Sequence, residues 1–167
     1  MATTTLFLGG ARSGKSRLAQ AAAEALPGPL VHIATATAGD AEMAERIARH
    51  QGDRGPRWRT VETPIALADA IAEAAPAIML VDCLTLWLSN LMLGRSDIDA
   101  ATATLLAAIR AAQHPLFLVS NEVGLGIVPD TPLGRAFRDA AGRLNQQVAA
   151  AVDRVEFVAA GLSLRLK

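Results

Sequence analysis

The sequence predicts an α/β fold: a mainly parallel sheet flanked by helices on both sides. Three observations carry that expectation. Short apolar runs alternate with Ala- and Leu-rich stretches of helical composition along the chain. The run Leu30–Ala34 is near-continuously apolar and follows a helical stretch, as expected of a strand covered on both faces. Between a run of β-formers and a helical stretch lies Gly9-Gly10-Ala11-Arg12-Ser13-Gly14-Lys15-Ser16, which fits Gly, four residues, Gly, Lys, Ser/Thr. The length of 167 residues suits one domain, 1–167, with enough chain for a real core.

The elements follow in order. Thr4–Leu8 is the first strand, and the helix after the Gly-rich turn runs from about Gly14 to Leu26, where Pro27-Gly28-Pro29 stops it. After the strand 30–34, Asp40 is placed to cap a helix from Ala41 to about His50. Residues 51–56 read as loop and Arg57–Glu62 as a short strand. Thr63-Pro64 reads as cap and first helical residue of a helix running through Ala74. Ala77–Asp82 is an apolar strand ending in a carboxylate, and Cys83–Leu93 reads as helix. A helix over 98–112 has Asp97 near its start, and 115–120 is another strand, ending in Asn121-Glu122-Val123-Gly124. Residues 126–130 read as loop, and Thr131-Pro132 opens a long helix to about Val152. Residues 155–160 and 162–167 close the chain as strands around Gly161, and the alternation in the last predicts a half-exposed, antiparallel edge strand.

Composition excludes several classes. Sixteen basic residues balance sixteen acidic ones and no basic stretch stands out, so nucleic-acid binding lacks electrostatic support. No apolar run reaches the roughly 20 residues of a membrane span. A single cysteine, Cys83, and the lack of a secretory start point to the reducing cytoplasm.

The Gly-rich stretch has the context of a phosphate-binding loop. Glycines let backbone N–H groups converge on phosphate oxygens, and the helix N-terminus adds partial positive charge. Lys15 is placed to reach the β/γ-phosphates and the Ser16 hydroxyl to ligate Mg²⁺. Asp82, at the carboxyl tip of a buried strand, is the second Mg²⁺-holding candidate, although a turn or cap role fits the same position. In open parallel sheets ligands bind beyond the carboxyl ends of the strands, where Thr35, Asp82, Asn121 and Glu122 fall. Asn121 and Glu122 suit either orienting a water or hydroxyl, ordering the loop that follows, or capping backbone groups. Trp58 and Trp87 suit a large apolar ligand, core packing or a subunit interface. Arg135 and Arg138 lie one helical turn apart, with phosphate binding and a surface ion pair as the alternatives. His32 and His114 read as structural and Cys83 as inert packing. His50, read alone, is a helix C-cap or surface residue.

Several segments together carry a family resemblance: the stretch 9–16, Ile33–Ala36, Arg46-Ile47 with His50 and Arg54, Trp58–Glu62, Asp82–Trp87, Ser120–Pro129, and Arg135, Phe137–Asp139, Gly142, Asn145-Gln146 and Lys167. The set resembles the bifunctional adenosylcobinamide kinase/adenosylcobinamide-phosphate guanylyltransferases of cobalamin biosynthesis. The phosphate loop alone would also fit a plain small-molecule kinase or a nucleotide-dependent switch.

The resemblance implies a RecA-like phosphate-loop fold, a homotrimer, Mg²⁺, and ATP and GTP as nucleotide substrates. It implies two reactions: phosphorylation of adenosylcobinamide, then transfer of GMP from GTP through a guanylylated histidine. That histidine falls on His50, and Arg49 stands where some members carry a second histidine. It also implies nucleotide contacts from the phosphate loop, from Ala34, Thr35 and Ala36, from Gln51, Gly52, Asp53 and Arg54, from Glu62, whose alternative is solvated charge, and from Leu84. The corrinoid, adenosylcobinamide or its phosphate, is the expected second substrate.

Overall fold

Thr4–Gly9 (β1) is a central strand, and its pairing sets the frame: it runs parallel to Leu116–Asn121 (β5) on one side and to Arg154–Ala159 (β6) on the other. The structure, a computed structural model, describes residues 3–36 and 55–167. Among these, Leu30–Ala34 (β2), Trp58–Glu62 (β3), Ile78–Asp82 (β4) and Leu162–Arg165 (β7) complete a seven-stranded sheet of order β3-β2-β4-β5-β1-β6-β7. All neighbours are parallel except β6 and β7. The expected sheet, with its antiparallel edge strand at the C-terminal end, is therefore present.

Alternate residues feed two apolar layers. Leu6, Val31, Ile33, Met79, Val81, Leu116 and Leu118 face one side, while Phe7, Leu30, Ile78, Leu80, Phe117 and Val119 face the other. Burial on both faces explains why these strands are apolar at successive positions. On the second side lies Lys15–Glu24 (α1), which packs Ala19 and Ala23 against the sheet. On the first side lie Leu67–Glu73 (α2), Leu84–Leu93 (α3), Ile98–Ala111 (α4) and Pro132–Ala151 (α5).

The end-signals are partly as expected. Asp97 caps α4 by accepting from the Ala100 N–H at 3.0 Å, and Thr131 caps α5 by accepting from Gly134 at 3.1 Å. Thr63-Pro64, however, does not open a helix; α2 begins at Leu67. The Thr63 N–H is taken by the Ala34 carbonyl at 2.8 Å, which prolongs the β2–β3 ladder. The next two carbonyls are claimed as well: Pro64 accepts from Asn90 Nδ2 and Ile65 from Trp87 Nε1. Tertiary hydrogen bonds thus override a local cap signal. The last strand also differs from expectation, since all four residues of β7 are exposed. Leu162 and Leu164 pair with Ala159 and Phe157 and stay 75% and 64% exposed.

The helix 41–50 falls outside the described residues.

Candidate active site

The phosphate loop is built by close backbone approach. At the end of β1, a Cβ on Gly9 would lie 2.3 Å from the Val158 carbonyl oxygen, so β6 forbids a side chain there. Gly14 adopts φ 97, which an L-residue rarely tolerates, and a Cβ on it would press to 3.1 Å on Gly161 Cα. The loop rests on the β6–β7 turn, whose Gly161 N–H donates to the Ser13 carbonyl at 2.8 Å. Inside the loop the Ser13 N–H donates to the Gly10 carbonyl at 3.3 Å. Gly10 has open space above it, and Ala11 and Arg12 are exposed, Arg12 with φ 55. The loop then delivers its chain into the first turn of α1, with Lys15 as first residue and Ser16 beside it.

Lys15 is only 7% exposed, and its Nζ donates to the Gly10 carbonyl at 2.9 Å. Burial lowers its pKa, and the neighbouring Cys83 and Asp82 partly offset that shift. Asp82 is half-buried at the carboxyl end of β4, in register with Ala34 and Val119. The sequence-distant residues Lys15, Ser16 and Asp82 thus share one end of the sheet. Among the described residues no cluster of three or more His, Cys, Asp or Glu could hold a metal alone. A hydroxyl and one carboxylate, both hard oxygen donors and both accessible, nevertheless fit Mg²⁺, which keeps waters and takes further oxygens from phosphates.

Around the loop runs a seam of hydrogen bonds that sequence reasoning did not find. Thr35 is fully buried; its hydroxyl donates to the Cys83 carbonyl at 2.7 Å and accepts from the Cys83 N–H at 2.9 Å. Its own carbonyl accepts from Asn90 Nδ2 at 2.8 Å. Thr85 Oγ1 accepts from the Asn121 N–H at 2.7 Å, and Asn145 Nδ2 donates to the Asn121 carbonyl at 3.1 Å. Ser120 Oγ donates to Asn145 Oδ1 at 2.6 Å. These bonds fix the tips of β2, β4 and β5 against α3 and α5. The signal for Asn145 was present: a polar residue on the buried face of a helix, between Leu144 and Val148.

The other candidates divide. Ala34 is buried and Ala36 half-buried at the end of β2, and Glu62 is exposed at the end of the neighbouring β3. Leu84 is 0% exposed and packs in the core, so of that residue only the backbone at the start of α3 faces the site end of the sheet. The Glu122 N–H donates to the Gly9 carbonyl at 2.9 Å, and its carboxylate accepts from the Gly124 N–H, which orders the loop beyond. Trp87 is buried and Trp58 lies at the amino end of β3, with its Nε1 donating to Glu24 and its ring edge-on to His32, so both are structural. Arg135 donates to the Pro129 and Asp130 carbonyls, and Arg138 pairs with Asp139 at 2.9 Å. Cys83 is buried, with its thiol pKa raised by burial and by Asp82. His50, Gln51, Gly52, Asp53 and Arg54 lie outside the described residues.

The model of the cobinamide kinase/cobinamide phosphate guanyltransferase family matches residues 5–166. The chain belongs to this family. Within it, the bifunctional adenosylcobalamin biosynthesis protein CobP of Pseudomonas aeruginosa is 48% identical over 166 residues, covering 97% of this chain and 96% of its own. The corresponding CobU of Salmonella typhimurium is 41% identical over 179 residues, covering 97% and 98%. The family is thus one of bifunctional enzymes of cobalamin biosynthesis. Among solved structures, the P4 protein of bacteriophage phi6, in complex with ADP, aligns with TM-score 0.51 at 18% identity, over 97% of this chain and 52% of that one. At that identity the likeness speaks to the fold alone.

Proposed function

We propose that this chain, as one domain over 1–167, carries out two successive reactions. ATP or GTP first phosphorylates the aminopropanol hydroxyl of adenosylcobinamide. GTP then gives GMP to that phosphate, releasing pyrophosphate and forming adenosylcobinamide-GDP. The observation that carries this reading is membership of a bifunctional kinase/guanyltransferase family over residues 5–166. The loop 9–16, which includes Lys15, and Asp82 at the same end of the sheet support the phosphate chemistry the reading needs.

Lys15 binds the β/γ-phosphates, and the loop N–H groups and the start of α1 receive their charge. Ser16 and Asp82 hold Mg²⁺, which neutralises charge on the phosphates. The 34–36 backbone, the start of α3 at Leu84, and Glu62 line the nucleotide, with residues 51–54 meeting its phosphates. The His50 imidazole attacks the α-phosphorus of GTP; the bond to pyrophosphate breaks and a phosphoramidate forms. A phosphate oxygen of adenosylcobinamide-phosphate then displaces the protonated imidazole, which restores the histidine. The protein works in the cytoplasm as a homotrimer.

The test is to incubate protein with Mg²⁺ and GTP labelled at the α-phosphate, without corrinoid. Acid-labile, alkali-stable label is expected on the wild type, absent from His50→Ala, and chased by adenosylcobinamide-phosphate. The same variant should retain most kinase turnover. No label on folded, GTP-binding wild type would reduce the reading to a plain kinase.

A further inference from the structure

The site end of the sheet carries an apolar surface that the phosphate loop does not use. Leu125 is 82% exposed and Ile127 is 95% exposed, and Val128 follows them in the loop after β5. Beside this loop a groove of about 300 Å³ opens between the second half of α3 and the start of α5, lined by Met92, Leu93, Leu133 and Phe137 with the hydroxyls of Ser89 and Thr131. Among the described residues no charged side chain lines it. Exposed apolar side chains gathered next to a groove, unlike singly scattered ones, mark an interaction site.

Topology puts this surface on the phosphate-loop side. The helix α5 ends at Ala151, three residues before β6 begins, so it runs from the carboxyl ends of the strands to their amino ends. Its first turns, which form one groove wall, therefore stand at the carboxyl ends. The loop itself leaves β5 beside the bond from the Glu122 N–H to the Gly9 carbonyl. Its far end is pinned too: Arg135 Nη1 donates to the Pro129 and Asp130 carbonyls at 2.9 Å each. A Cβ on Gly134 would lie 2.8 Å from Pro129 Cβ, so the glycine lets the loop sit down on α5. The apolar side chains are thus held outward on an anchored loop.

We propose that this surface receives the ring of the corrinoid, a large, mostly apolar macrocycle fringed with amide arms. The inference rests on the functional reading above, in which the arm's hydroxyl must meet the terminal phosphate, leaving the ring on surface next to the phosphate loop. An uncharged apolar wall suits such a ring, and the Ser89 and Thr131 hydroxyls suit its amides. The groove is too small for the whole macrocycle, so it takes one edge while Leu125, Ile127 and Val128 support the face.

The test is the double variant Ile127→Ser, Leu133→Ser, both side chains being exposed and outside the core. Cobinamide binding is followed by its visible absorbance in equilibrium dialysis, ATP binding is measured separately, and mass is measured by light scattering. We expect cobinamide affinity to fall about tenfold or more, with ATP affinity and mass unchanged. The control Leu162→Ser, an exposed leucine on β7, should leave both affinities unchanged. Unchanged cobinamide affinity in the double variant, while the wild type binds, overturns this inference alone. A fall in mass that accompanies the loss identifies the surface as a contact between copies and also overturns it. Failure of the wild type to bind cobinamide overturns the functional reading and this inference with it.

Discussion

Lys15 shows what a single residue in this fold is asked to do. Its ammonium is held away from water against the Gly10 carbonyl, and burial lowers its pKa. A cation kept in that position costs stability and is useful only when phosphate oxygens arrive. Lys15→Met should therefore lower phosphoryl transfer by about 10²–10³-fold, as removal of one preorganised donor does elsewhere. Its melting temperature should match or exceed that of the wild type, because no buried charge remains. Steady-state kinetics and a thermal melt on the same sample check both halves. The residues of the loop were legible because phosphate binding imposes a local pattern. Thr35 was legible only as a position near the nucleotide. That its hydroxyl joins β2 to Cys83 depends on a partner 48 residues away, which no local pattern announces.

At the scale of elements, helix ends decide more than helix interiors. Three carbonyls at the end of α5 and just beyond it, those of Ala149, Ala150 and Val152, accept from Lys167 Nζ. A cation there satisfies orphan acceptors and opposes the negative end of the helix dipole. Lys167→Ala should cost about 1 kcal/mol in urea unfolding, while Lys167→Arg should recover part of it. The buried Asn145 is a stronger case, because it joins α5 to both Ser120 and Asn121. Asn145→Leu leaves the Asn121 carbonyl without that donor, and it should lower stability by about 1–3 kcal/mol. It should also lower kcat, through a displaced β5 tip. Element existence was readable from apolar runs and Pro signals, as the α5 start at Thr131-Pro132 shows. The same signal at Thr63-Pro64 misled, because its backbone is spent on Ala34, Asn90 and Trp87.

For the molecule as a whole, one carboxylate joins the amino ends of two neighbouring strands, β1 and β6. Asp153 accepts from the Thr4 N–H at 2.8 Å and from the Thr4 hydroxyl at 2.9 Å, and these bonds lower its pKa. A carboxylate with a depressed folded-state pKa contributes stability that is present above its ordinary, unfolded value. That contribution is lost as pH falls through the lowered folded value. Wild type should therefore exceed Asp153→Asn in stability at neutral pH, and the gap should close below pH about 4. Denaturant melts across that range would show it. The strand order was not legible at all: β1 lies between β5 and β6, and only long-range pairing reveals that arrangement.

That placement has a consequence for how the protein is made. The phosphate loop leaves the ribosome well before the turn that supports it, at Gly161. Until Val158 lies against Gly9 and Gly161 reaches Ser13, the loop has the right residues and no foundation. Nascent chains stalled short of β6 should therefore be unable to retain nucleotide, however long they are given to fold.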